Sequence, residues 1–88
     1  MTVPTDLNEA TVTDIVCRRL KEIAPETDPW SLDPNEDVRE TLDIDSFDFL
    51  NFLISLNEDV GVEIPEKDYG MLSSRSDIVN YLLAHAPR

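Results

Sequence analysis

The sequence predicts an all-α fold, a small four-helix bundle with three principal helices, one short helix and a long loop between the first two principal ones. Three observations lead there. Apolar residues recur at helical spacing in three separate stretches. No stretch alternates apolar and polar residues as a half-buried strand must, Gly61-Val62-Glu63-Ile64 being too short to count. Glycine and proline fall between the periodic stretches rather than inside them. At 88 residues the chain is read as one domain, 1–88, with residues 1–7 as a flexible N-terminal extension.

The first helix is expected from about Asn8 to Ala24, with Val12, Ile15, Val16, Leu20 and Ile23 on its apolar face. Thr11 with Asp14 three residues on is taken as its start signal, and Pro25 stops it. Arg18, Arg19 and Lys21 lie toward its C-terminal end, where they oppose the negative end of the helix dipole. From Pro25 to Asp45 periodicity fails. Pro25, Pro29 and Pro34 are too closely spaced for a helix, so this is read as a loop of about twenty residues without a regular element. Trp30, Leu32, Val38, Leu42 and Ile44 are expected to anchor it by packing onto the helices.

The second principal helix is expected from Ser46 to near Val60, with Gly61 supplying the left-handed residue that ends it. Residues placed at 100° intervals divide it into three surfaces. Phe49, Phe52, Leu53, Leu56 and Val60 form a core face, and Asp48, Asn51, Ser55, Glu58 and Asp59 a polar one. Phe47, Leu50 and Ile54 form a third, apolar stripe, and a helix apolar over that much of its circumference must bury two surfaces or offer one to a partner. Pro65 opens a short turn through Glu66 to Tyr69, ended by Gly70. Ser74 and Asp77 read as a variant capping box before the last helix, whose apolar residues are Ile78, Val79, Leu82 and Leu83.

Charge narrows the function. Nineteen acidic residues against seven basic ones give a net charge of −12, which argues against nucleic acid and anionic membranes as partners. Fifteen of the nineteen acids, but only two of the seven bases, Arg39 and Lys67, lie between Glu22 and Ser74. The 41% of hydrophobic residues is too high for a disordered acidic tail. No apolar stretch is long enough to span a membrane, and the N-terminal MTVPTDLNEA lacks the basic and apolar regions of a secretory signal, so a cytoplasmic monomer is expected.

Most catalytic chemistry fails on inventory. His85 is the only histidine and reads as an exposed helix-end residue. The single Cys17 can make neither an internal disulfide nor a cysteine zinc site, and is read as a small hydrophobe beside the core. Only two glycines exist, so there is no phosphate-cradling loop. Asp33, Asn35 and Asp37 open like a calcium loop, but Val38 and Ile44 stand where glycine and glutamate are required, so no metal is assigned. The chain is read as a non-enzyme.

The remaining candidate is the junction at Ser46. A serine there can simply cap the helix, which leaves an acidic helical interaction module as one reading. Alternatively, the helix N-terminus suits a phosphate attached to that hydroxyl. Asp45, directly before it, is placed to help hold a divalent metal while another enzyme modifies the serine. The stripe of Phe47, Leu50 and Ile54 begins immediately afterwards.

At these residues the sequence resembles a known family. Asp45-Ser46-Phe47 followed by Leu50, Leu53 and Leu56, Gly61 to Pro65 fifteen residues after the serine, and Ile78, Val79, Tyr81 and Leu82 near the end together look like an acyl carrier protein. The resemblance covers about Val12 to Leu83. It implies that Ser46 receives 4′-phosphopantetheine from a phosphopantetheinyl transferase, with Asp45 as motif partner, and that Phe47, Leu50, Ile54 and Glu58 lie on the partner-docking helix. The thiol of the arm would then carry acyl groups as thioesters between enzymes of fatty acid or related lipid and polyketide synthesis, while catalysis stays with those enzymes. Partner enzymes are expected to present basic and apolar surfaces. Phe52, Leu56, Tyr69, Leu72 and Ile78 are the residues that could shelter an aliphatic cargo; an aminoacyl or D-alanyl cargo is the alternative and would need no such cavity. Asp43 stands where the family commonly has glycine, Phe47 replaces the usual leucine, and Asn51 and Asn57 replace frequent acids. Those departures suggest a specialised carrier with few partners.

Overall fold

A computed structural model describes residues 8–85, and the expected extension at residues 1–7 lies outside the described residues. Three principal helices pack around one apolar core: α1 (Glu9–Ile23), α3 (Ser46–Val60) and α4 (Arg75–His85), with a four-residue α2 (Val38–Thr41) in the segment that joins α1 to α3. α1 packs against both α3 and α4. The described residues contain no strand, only an isolated bridge between Asp37 and Ser74.

α1 buries Val12, Val16, Cys17 and Leu20, a stripe at helical spacing that faces the other two helices. Burying a leucine or valine side chain in this way contributes about 1.5–3 kcal/mol. Its start differs from the expectation. Asn8 is the cap, its side-chain oxygen accepting the Thr11 backbone N–H at 2.9 Å, so Thr11 is the group being satisfied rather than the signal.

The segment before α3 is more ordered than its prolines suggest. Asp28 caps a single 3-10 turn, Pro29–Ser31, accepting Trp30 N–H at 3.2 Å and the Ser31 hydroxyl at 2.6 Å. Asp37 caps α2, accepting Arg39 and Glu40 N–H at 2.9 and 3.1 Å. Pro29 costs nothing at the first position of its turn, because that N–H would be unsatisfied anyway. Leu32, Val38, Leu42 and Ile44 are buried as expected, whereas Trp30 is 47% exposed and does not anchor the segment. Its backbone does so instead: Arg75 donates to the carbonyls of Pro29 and Trp30 at 2.7 and 3.3 Å. Val38 N–H reaches the Ser73 carbonyl at 2.8 Å, and Ser76 N–H the Pro34 carbonyl at 2.9 Å. The long connection is therefore stitched to the start of α4.

α3 ends where expected, Gly61 taking the left-handed conformation (φ 77°) while its N–H caps Asn57 at 2.8 Å. Phe49, Phe52, Leu53, Leu56 and Val60 are buried, with the Phe49 and Phe52 rings tilted 5.7 Å apart. After Pro65 the chain forms a 3-10 turn, Glu66–Met71, longer than expected. Gly70 lies inside it rather than ending it, and a Cβ there would meet open space. Ser74 and Asp77 form the reciprocal cap of α4. The serine hydroxyl accepts Asp77 N–H at 3.0 Å and the aspartate accepts Ser74 N–H at 3.4 Å.

Candidate functional site

Ser46 occupies the first position of α3, and the residue before it does the capping. The Asp45 carboxylate accepts Asp48 N–H at 2.8 Å, leaving the exposed Ser46 hydroxyl without a side-chain hydrogen bond among the described residues. A rigid turn presents it. Leu42 and Ile44 are buried beneath, Ile44 N–H donates to the Arg39 carbonyl at 2.8 Å, and Asp43 between them is left-handed with φ 55°. A left-handed residue is required at 43, and aspartate tolerates that region better than most.

The stripe predicted beside the serine faces solvent, Phe47 being 71%, Leu50 37% and Ile54 47% exposed. Glu58 continues it, also exposed. Between this stripe and the Glu66–Met71 turn run two adjoining clefts. One, of about 200 Å³, is lined by Arg39, Ser46, Phe49, Leu50, Leu53, Tyr69 and Gly70. The other, of about 300 Å³, is lined by Leu53, Ile54, Asn57, Glu58, Ile64 and Tyr69. Leu53 and Tyr69 belong to both, so the two clefts lie side by side as a groove along α3 from the serine.

Of the five residues expected to shelter a cargo, Tyr69 alone lines this groove; Phe52, Leu56, Leu72 and Ile78 are packed in the core, none more than 2% exposed. Leu53 and Arg39 line it but were not among the expected site residues. Leu53 sits on the core face of the helical wheel, which cannot show that its edge opens to a cleft. Arg39 belongs to α2, a helix the prolines and aspartates concealed. The turn that carries Tyr69 is tied to α4 by the Tyr81 hydroxyl, which donates to Asp68 at 2.7 Å. Burial, and then that hydrogen bond, push the Tyr81 phenol up to about 12, so it remains a donor at neutral pH.

Cys17, His85 and the Asp33–Asp37 loop do not line the clefts beside the serine. Cys17 is fully buried, and desolvation raises its thiol pKa against the opposing influence of Arg75, which marks an unreactive thiol. The cation beside it is Arg75 of α4. His85 is exposed in the last turn of α4, stacked 4.1 Å from the Tyr81 ring. Asp33 and Asp37, to which no metal is assigned, accept local backbone N–H groups of Asn35, Arg39 and Glu40. A third cleft, of about 260 Å³, separates α1 from the far end of α3, where Arg19 grips Asp59 through two nitrogens.

The surroundings of Ser46 fit a phosphopantetheine arm on structural grounds. An accessible hydroxyl stands at a helix N-terminus, whose free N–H groups favour an attached phosphate. The groove beside it offers apolar walls and one guanidinium.

Known proteins agree. Residues 10–82 match the family described as "Phosphopantetheine attachment site". The acyl carrier protein of Lactobacillus acidophilus is 32% identical over 60 residues, spanning 68% of this chain and 75% of that protein. That of Clostridium acetobutylicum is 30% identical over 76 residues, spanning 81% and 96%. The acyl carrier protein of Rubrobacter xylanophilus is 26% identical over 73 residues, spanning 80% and 90%. With nearly every described residue inside the matched region, the chain belongs to the acyl carrier protein family, whose members carry acyl groups on a covalently attached 4′-phosphopantetheine.

Proposed function

We propose that Ser46 is the attachment residue and that residues 1–88 act as a single, monomeric carrier domain in the cytoplasm. The observation that carries this reading is the division of labour at the start of α3. Asp45 satisfies the helix N-terminus, so the Ser46 hydroxyl is free to be modified without loss of the cap. Asp45 is then the motif partner because it builds the end on which the serine stands. When bound, the prosthetic group supplies a thiol that holds an acyl chain as a thioester. The protein itself supplies no catalytic group; it positions the arm, and partner enzymes perform the chemistry.

The docking surface in this reading is Phe47, Leu50, Ile54 and Glu58, which the phosphopantetheinyl transferase and acyl-transferring or ligating enzymes would share in turn. Its exposed apolar side chains, flanked by the neutral Asn51 and Asn57, support a restricted set of partners. The surrounding negative charge steers basic enzyme surfaces toward the serine. An acyl cargo has the groove through Leu53 and Tyr69 as its nearest apolar shelter, with Phe52, Leu56, Leu72 and Ile78 behind it.

Incubation with coenzyme A and a broad-specificity phosphopantetheinyl transferase tests this directly. Mass spectrometry should show a gain of one phosphopantetheine, lost completely in Ser46→Ala while the melting transition barely moves. A serine that only capped the helix would give the opposite pattern: no mass gain, and a loss of about 1 kcal/mol of stability in Ser46→Ala.

A further inference from the structure

Arg39 occupies an unusual electrostatic position. It is one of two basic residues amid the fifteen acids between Glu22 and Ser74. Its guanidinium nevertheless makes no ion pair among the described residues, whereas Arg18 pairs with Asp14, and Arg19 with Glu22 and Asp59. Arg75 spends its donors on backbone carbonyls. The Arg39 guanidinium carbon instead lies 5.8 Å from the centroid of the Phe49 ring, an exposed cation–π contact that leaves its planar donors without a partner among the described residues.

Arg39 lines the cleft that begins at Ser46, where it is the only charged residue in the lining. Its backbone is part of the same turn: the Arg39 carbonyl accepts Ile44 N–H two residues before the serine. Arg39 and Ser46 are thus set relative to one another by one short hydrogen-bonded loop. A phosphodiester on the serine would add negative charge where Asp45 and Asp48 already stand, and one cation is within the same cleft to receive it. A guanidinium is suited to this, since its parallel N–H groups match two oxygens of a phosphate.

We propose that Arg39 is a positioning residue for the prosthetic arm, pairing with the phosphodiester on Ser46 and turning the arm into the groove past Leu53 and Tyr69. This rests on Ser46 being the attachment residue. The alternative role, a cation–π contact that merely secures α2, is independent of the arm and would be the same with and without it.

The test compares unloaded and phosphopantetheine-loaded protein, with loading verified by mass. In nitrogen-15-labelled wild type, the Arg39 Nε–Hε resonance should shift on loading, and the arm should show nuclear Overhauser contacts with Tyr69 and Leu53. Arg39→Gln should lose those contacts and change the phosphorus-31 shift of the diester; Arg39→Lys should keep part of both effects. Full loading with an unmoved Arg39 resonance, or with the same arm contacts in Arg39→Gln, overturns the role of Arg39 alone. Absence of any mass gain in wild type overturns the Ser46 reading and this inference with it. Should Arg39→Gln resist loading, the wild-type resonance still decides.

Discussion

At its C-terminal end α3 is gripped from several sides: Arg19 of α1 holds Asp59 through two nitrogens, Val60 is fully buried, and Gly61 turns the chain away in a left-handed conformation. At its N-terminal end, a hydroxyl, an apolar stripe and a guanidinium stand beside one another with almost no internal partners. Both ends meet the same helical requirements, since each must satisfy backbone groups that the helix leaves open. They differ in which residues are spent on that duty. Asp59 is adverse to the negative end of the dipole, and Arg19 offsets it. At the other end Asp45 alone provides the side-chain cap, which spares the Ser46 hydroxyl, and Phe47, Leu50 and Ile54 stay exposed beside it. One helix can thus be anchored at one end and offered at the other.

The largest test of this contrast is to loosen the anchored end. Arg19→Met should cost about 2 kcal/mol in urea unfolding, between the values for exposed and buried pairs, because the Asp59 side chain, only 15% exposed, is left unpaired at a helix C-terminus. Loading of Ser46 should be unaffected. Next in size, Asp45→Ala should cost about 1 kcal/mol through the lost cap, and here loading should also slow, since the same residue builds the platform of the serine. Smallest is Asp43, where the left-handed backbone favours glycine. Asp43→Gly should raise stability by about a few tenths of a kcal/mol in the same assay, and an unchanged or lowered stability would show that the turn does not favour glycine there.

The sequence made the three principal helices visible because each buries a continuous apolar stripe, and periodicity reports such stripes. It showed the exposed stripe of Phe47, Leu50 and Ile54 for the same reason: three surfaces on one helix cannot all be core. It concealed α2 and the Pro29–Ser31 turn because aspartate is both a turn former and a helix cap, and which role wins depends on what the next residues can bury. Asp28 and Asp37 turned out to be caps. The proximity of Arg75 to Cys17, and the exposure of Trp30, depend on contacts across the fold that no local pattern encodes. The site divides similarly. Ser46 and its stripe were legible locally, and the resemblance carried in their motif supplied the prosthetic group. The groove, with Leu53 and Arg39 in it, exists only once α2, α3 and the Glu66–Met71 turn come together.

The hydrogen bonds that stitch the connection to α4 also make the approach to Ser46 depend on residues far along the chain. The carbonyls of Pro29 and Pro34 and the N–H of Val38 find their partners in residues 73–76, near the end of the described chain. A chain cut before α4 would lack those partners, and the approach to Ser46 would keep only its local ties: the caps at Asp28 and Asp37 and the bond from Ile44 N–H to the Arg39 carbonyl.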